Sequence, residues 1–131
     1  MRHLPKFGNT SRILVVDDEK YIVNVIGKGL EDNGFEVDAF TDPRKALSNF
    51  KTGIYDLLIL DIRMPGMSGI QLFKEMRKID DTVKVIFLTS FEIQEKEWRM
   101  VLPSTEVNGF IKKSVATKRL MKVISEIIWD T

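Results

Sequence analysis

Residues 13–34, ILVVDDEKYIVNVIGKGLEDNG, carry in one stretch the pattern that decides the fold. Ile13, Leu14, Val15 and Val16 form an unbroken apolar run, which suits a strand covered on both faces. Three acids, Asp17, Asp18 and Glu19, follow at once. Ile22, Ile26 and Leu30 then recur every four residues with Val23 beside them, the spacing of an amphipathic helix. Asn33-Gly34 supplies a C-terminal stop. Gly27 and Gly29 lie inside this helix at about 1 kcal/mol each relative to alanine, so its outer face is expected to be poorly optimised.

Outward from that unit the alternation repeats. A short strand spans 35–40, and Asp42-Pro43 opens a helix to about residue 50, with proline at its permitted first position. Leu57-Leu58-Ile59-Leu60 is a second fully apolar strand, ending on Asp61. A helix over 70–79 and a strand over 83–88 follow, the strand ending at Thr89-Ser90. A helix over about 94–102 is closed by Pro103, a brief strand covers 109–111, and a last helix covers 117–129. Strands alternating with helices predict an α/β fold, an open doubly wound parallel sheet with helices on both faces. No composition shift marks a linker, so 12–131 is expected to form one domain, preceded by a flexible extension over 1–11.

Composition narrows the chemistry. The chain has 131 residues, 44% hydrophobic and 30% charged, which fits one globular domain. No apolar run approaches the ~18 residues of a membrane helix, and the first residues lack the apolar segment of a signal peptide, so a cytoplasmic protein is expected. There is no cysteine, and His3 is the only histidine. Thiolate chemistry, a Ser-His-Asp triad, a histidine metal site and an internal phosphohistidine are thereby disfavoured. Lys+Arg of 20 against Asp+Glu of 19 leaves +1, with no global attraction for nucleic acid or anionic lipid. Carboxylates, hydroxyls and lysines remain.

In a sheet of this kind ligands bind beyond the carboxyl ends of the strands. The residues there are Asp17 and Asp18, Asp61, Thr89, and Lys112 or Lys113. Taken singly each has an ordinary reading: an Asp or Thr after a strand caps a helix or shapes a turn, and a Lys lies in solvent. Together they are not demanded by folding. Clustered carboxylates repel one another unless a cation joins them. With neither imidazole nor thiolate present, Mg2+ suits the set. A carboxylate can also act as nucleophile and form an aspartyl phosphate, and phosphoryl transfer then needs a metal, an ammonium and a hydroxyl around it.

The segments ILVVDDE (13–19), LLILDIRMPGMSG (57–69), FLTS (87–90) and GFIKK (109–113) resemble the receiver domain of two-component response regulators, in matching order and spacing over about 12–129. The resemblance implies a flavodoxin-like sheet of order 2-1-3-4-5. It implies that Asp61 is the phosphoacceptor and that Mg2+ is bound by Asp17, Asp18, Asp61 and the backbone carbonyl of Arg63. Thr89 and Lys113 would hold phosphoryl oxygens, and Thr89 with Phe110 would form the switch. The lysine of the family comes three residues after an aromatic, which selects Lys113 over Lys112. Arg63 and Phe91 occupy positions that shape water access, and their bulk is expected to slow self-dephosphorylation. Ser114 stands where the family usually has proline, so the lysine geometry is expected to be the least family-like part of the site.

The implied partners are a histidine kinase or phosphotransfer protein that donates the phosphoryl group and a downstream protein target. No direct nucleic-acid or membrane contact is expected, and the chain would be a monomer or a phosphorylation-linked dimer. Such a protein is not an enzyme beyond its own phosphorylation and slow autodephosphorylation. Two rivals remain open: a Mg2+-dependent aspartyl-phosphate phosphatase, and a pseudo-receiver that binds partners without phosphorylation.

Overall fold

Each strand expected from the apolar runs forms, and all pair in parallel. The computed structural model describes residues 11–90 and 107–113, together with Lys122 and Glu126, both helical. In chain order the elements are β1 (Arg12–Val16), α1 (Lys20–Asp32), β2 (Glu36–Phe40), α2 (Pro43–Asn49), β3 (Leu57–Asp61), α3 (Gly69–Ile79), β4 (Lys84–Thr89) and β5 (Gly109–Lys112). The sheet order is β2-β1-β3-β4-β5. The expected helices over 94–102 and 117–129 lie outside the described residues, apart from Lys122 and Glu126.

Alternate side chains of each strand point to opposite faces, so an unbroken apolar strand feeds two cores. Leu14, Val16, Leu58, Leu60, Val85 and Phe87 pack with Ala46 of α2 and Leu72, Phe73 and Met76 of α3. Ile13, Val15, Leu57, Ile59, Ile86 and Leu88 pack on the other face with Ile26 and Leu30 of α1. At roughly 1.5–3 kcal/mol for each fully buried aliphatic or aromatic side chain, these layers hold the strand ends in register. Edge strand β2 is more polar. Arg12 forks onto Asp38 at 3.2 Å and Glu36 at 2.6 Å, and the Tyr55 hydroxyl donates to Asp38 at 2.6 Å.

The helix ends follow their local sequences. The N–H groups of Gly34 and Phe35 donate to the carbonyls of Glu31 and Leu30 at 3.0 and 3.1 Å, closing a Schellman motif with Gly34 at φ +91°. Asp42 caps α2 by accepting from the Arg44 N–H at 2.9 Å, ahead of Pro43. Ser68 and Gln71 form a reciprocal capping box on α3.

One expectation needs correction. Gly27 does not lie on the outer face of α1; it is buried with Val23, Ile26 and Leu30. The inward stripe starts at Val23 and steps by three and four residues, which takes in position 27. A methyl group there would meet Val37 Cγ1 at 3.8 Å, an ordinary contact.

Gly69 is different, because a Cβ there would drive into the Asp61 carbonyl and stand 3.2 Å from Ile62 Cα. Urea unfolding should therefore separate two identical chemical changes. Gly27→Ala is expected to stabilise the fold by about 0.5–1 kcal/mol. Gly69→Ala is expected to destabilise it by about 2 kcal/mol or more, since backbone atoms must move.

Candidate functional site

The acids meet where strand order turns. β1 and β3 are adjacent in the middle of the sheet, and the chain leaves β1 toward β2 on one side before crossing back to β3 on the other. Such a reversal leaves a crevice beyond the carboxyl ends. Asp17 directly follows β1, Asp61 ends β3, Thr89 ends β4 and Lys113 directly follows β5. Parallel pairing of Val16 with Leu60, Asp61 with Leu88 and Thr89 with Lys112 brings these ends to one edge.

Carboxylate oxygens of Asp17, Asp18 and Asp61 lie within 4.8 Å of one another. Asp17 is fully buried, Asp61 is 3% exposed, and Asp18 is exposed at the mouth. The Lys113 ammonium reaches into this group, 2.9 Å from Asp17 Oδ2 and 3.3 Å from Asp61 Oδ2, with its side chain only 9% exposed. It donates a hydrogen bond to Asp17 Oδ1 at 3.1 Å. Lys112, by contrast, is exposed, so the lysine selected from the aromatic spacing is the one that reaches the acids.

Burial sets the electrostatics. Asp61 is pushed up to about 7, first by burial and then by the charge of Asp17, with Lys113 pulling the other way. Burial also raises Asp17 above the usual carboxylate range, against a backbone hydrogen bond from Glu19 and the Lys113 pair. Burial alone would lower Lys113, but its hydrogen bond to Asp17 and the charges of Asp17 and Asp61 outweigh that, and it is raised. Two neighbouring carboxylates thus share one ammonium and are undercompensated.

These residues fit a hard divalent cation. Three carboxylates converge, and Asp17 Oδ2 is buried with no hydrogen bond from a described residue, the Lys113 contact lying outside hydrogen-bonding geometry. Oxygen-only donors with an open side are what Mg2+ takes, keeping several of its waters.

The other expected residues are placed less centrally. Thr89 is buried at the same edge, at the end of β4. Arg63 is exposed on the loop after β3. Phe110 is half-buried and points to the core, stacked on Phe87 at 5.7 Å, with Phe87 edge-on to Phe73 at 5.8 Å. Phe91 and Ser114 lie outside the described residues. Sequence reasoning missed Glu19, whose carboxylate is 3.2 Å from the Lys113 ammonium. Its place directly after two cluster acids was the available signal.

Known proteins share the sequence pattern and the fold. The response regulator receiver domain family matches residues 13–125. The regulatory protein VanRB of Enterococcus faecalis is 32% identical over 117 residues, covering 89% of this chain and 52% of that protein. The transcriptional regulatory protein DltR of Streptococcus agalactiae is 42% identical over 60% of this chain and 35% of its own length. The chain thus spans about half or less of these curated relatives. A crystal structure of the response regulator protein TrrA from Thermotoga maritima, in complex with Mg2+-BeF, superposes with a TM-score of 0.75 at 36% identity, covering 89% and 98% of the two chains. TrrA in complex with the histidine kinase ThkA gives 0.72 at 33% identity, covering 89% and 97%. With that match along most of its length and the strand order it shares, the chain belongs to the response regulator receiver domain family of two-component systems.

Proposed function

We propose that the chain accepts a phosphoryl group on Asp61 from a phosphohistidine of a partner histidine kinase or phosphotransfer protein and passes the signal on through protein contacts. The observation that carries this reading is the placing of Asp61 within 4.8 Å of two further carboxylates and 3.3 Å from a nearly buried lysine ammonium. The complex of the similar protein TrrA with a histidine kinase supports the choice of donor. In this reading residues 12–131 form the receiver unit behind an extension over 1–11. Among the described residues no helix is long and apolar enough to cross a membrane, in keeping with a cytoplasmic role.

Asp17, Asp18 and Asp61, with the backbone carbonyl of Arg63, would hold Mg2+, which supplies charge neutralisation at the transferring phosphoryl oxygens. One Asp61 carboxylate oxygen attacks phosphorus; the phosphorus–nitrogen bond breaks, and its electron pair stays on the donor imidazole. Burial helps here, because a desolvated carboxylate of raised basicity is a stronger nucleophile once its proton is lost. Lys113 holds a phosphoryl oxygen, and the Thr89 hydroxyl binds another. The new group adds charge and acceptor oxygens at the sheet edge. Movement of Thr89 and Phe110 then biases the protein-interaction surface around β5. Arg63 and Phe91 shield the product from water and lengthen its life. A downstream protein reads the altered surface, without direct nucleic-acid or membrane contact, whether the chain is a monomer or a phosphorylation-linked dimer.

Intact mass after incubation with acetyl phosphate and Mg2+ should show the gain of one phosphoryl group. Asp61→Asn should abolish it. Steady turnover of small phosphate esters by the wild type would instead favour a phosphatase, and absence of any mass gain a pseudo-receiver.

A pH test follows from the buried acid. Without divalent cations, folded Asp61 keeps its proton to about 7, whereas the unfolded chain loses it near the ordinary value of 3.8. The folded state then binds more protons between roughly pH 4 and 7, so stability falls as pH rises through that window. Asp61→Asn should raise the metal-free melting temperature at pH 8 by about 5 °C, a gain that fades toward pH 4. Saturating Mg2+ should stabilise the wild type and narrow the difference, by about 2–3 kcal/mol at a hundredfold excess over its dissociation constant.

A further inference from the structure

Glu19 sits at the N-cap of α1 with φ −89° and ψ 107°, yet its side chain makes no capping hydrogen bond. Serine, threonine, asparagine or aspartate is favoured at that position, because a short side chain reaches the free amides of the first turn. A glutamate there breaks a local rule, and sites that break local rules are often functional ones. This side chain turns the other way, and its Oε2 accepts from Lys113 Nζ at 3.2 Å.

An ammonium has three donors. Here three carboxylates surround it: Asp17 at 2.9 Å, Glu19 at 3.2 Å and Asp61 at 3.3 Å. Asp17 and Asp61 belong to the acidic cluster with Asp18, whereas Glu19 does not. The backbone also ties Glu19 to the site, since its N–H donates to Asp17 Oδ1 at 2.9 Å. A divalent cation seated on Asp17 and Asp61 would repel the ammonium and compete for the same oxygens. Lys113 is nine-tenths buried, so withdrawal from the acids needs another anion within reach. Glu19, 57% exposed and at the mouth, is that anion.

We propose that Glu19 is a positioning residue that keeps the Lys113 ammonium beside the acidic cluster when a divalent cation takes Asp17 and Asp61. The lysine then stays at hand for an incoming phosphoryl group instead of opposing the metal. This rests on the reading of Asp17, Asp18 and Asp61 as a Mg2+ site.

The test is a double-mutant cycle read by calorimetric titration of Mg2+ alone. Glu19→Gln should weaken Mg2+ binding about three- to fivefold in the wild-type background and less than about twofold in Lys113→Met. Equal weakening in both backgrounds would show that Glu19 acts only through its field on the ion, and would overturn the proposal. Failure of the wild type to bind Mg2+ would overturn the metal reading and the proposal with it. A second measurement keeps the question open to refutation if Lys113→Met does not fold: amine labelling of Lys113 read by peptide mass. Mg2+ should leave Lys113 labelling nearly unchanged in the wild type and raise it in Glu19→Gln, whereas the same response in both proteins would refute the role.

Discussion

One ammonium holds the upper edge of this molecule together. Lys113 stands 96 residues from Asp17 along the chain, yet its nitrogen lies between Asp17 and Asp61. Two carboxylates buried side by side are costly, and a lone buried charge costs several kcal/mol even after relaxation. The lysine offsets part of that cost and at the same time fixes where β5 ends relative to β1 and β3. The compensation is incomplete, which is why Asp61 remains far above the ordinary carboxylate range. Three carboxylates that converge at a sheet edge in this condition fit a divalent cation.

Most of the scaffold was legible because its strands are covered on both faces. Ile13–Val16 and Leu57–Leu60 could be read as strands from apolar continuity alone, and the acids were read as site residues because they stop those runs. The stop at Gly34 was equally plain, since a left-handed residue after a helix is a glycine in most chains. The orientation of α1 was harder. Ile22, Ile26 and Leu30 mark a stripe at four-residue steps, but the buried set is Val23, Ile26, Gly27 and Leu30, rotated enough to carry the glycine inward. A residue without a side chain gives no hydrophobic signal of its own.

The site was readable residue type by residue type, but not contact by contact. Choosing Lys113 over Lys112 needed the family resemblance, because two adjacent lysines beyond a four-residue strand look alike in sequence. Glu19 was invisible for another reason: a long flexible acid next to two shorter ones reads as solvated, and only geometry shows it meeting the ammonium of the residue just after β5. Phe110 was assigned to a switch by resemblance, and its stack on Phe87, continued edge-on to Phe73 of α3, packs that half-buried ring against the core. Aromatic contacts of this kind are worth about 0.5–1.5 kcal/mol beyond their buried area, so moving Phe110 means giving up a definite interaction.

The segment between β3 and α3 is held shut by its own main chain. The Gly69 amide donates to the Ile62 carbonyl at 2.9 Å, and its α-carbon rests on the Asp61 peptide with no room for a methyl. Residues 62–69 therefore act as a ruler of fixed length: one added or lost residue would unlatch α3 from the acid it follows. The exposed turn at 51–54 offers no more slack, since its Gly53 N–H donates to the Asp80 carboxylate and its Thr52 hydroxyl to the Ile79 carbonyl, each at 2.9 Å.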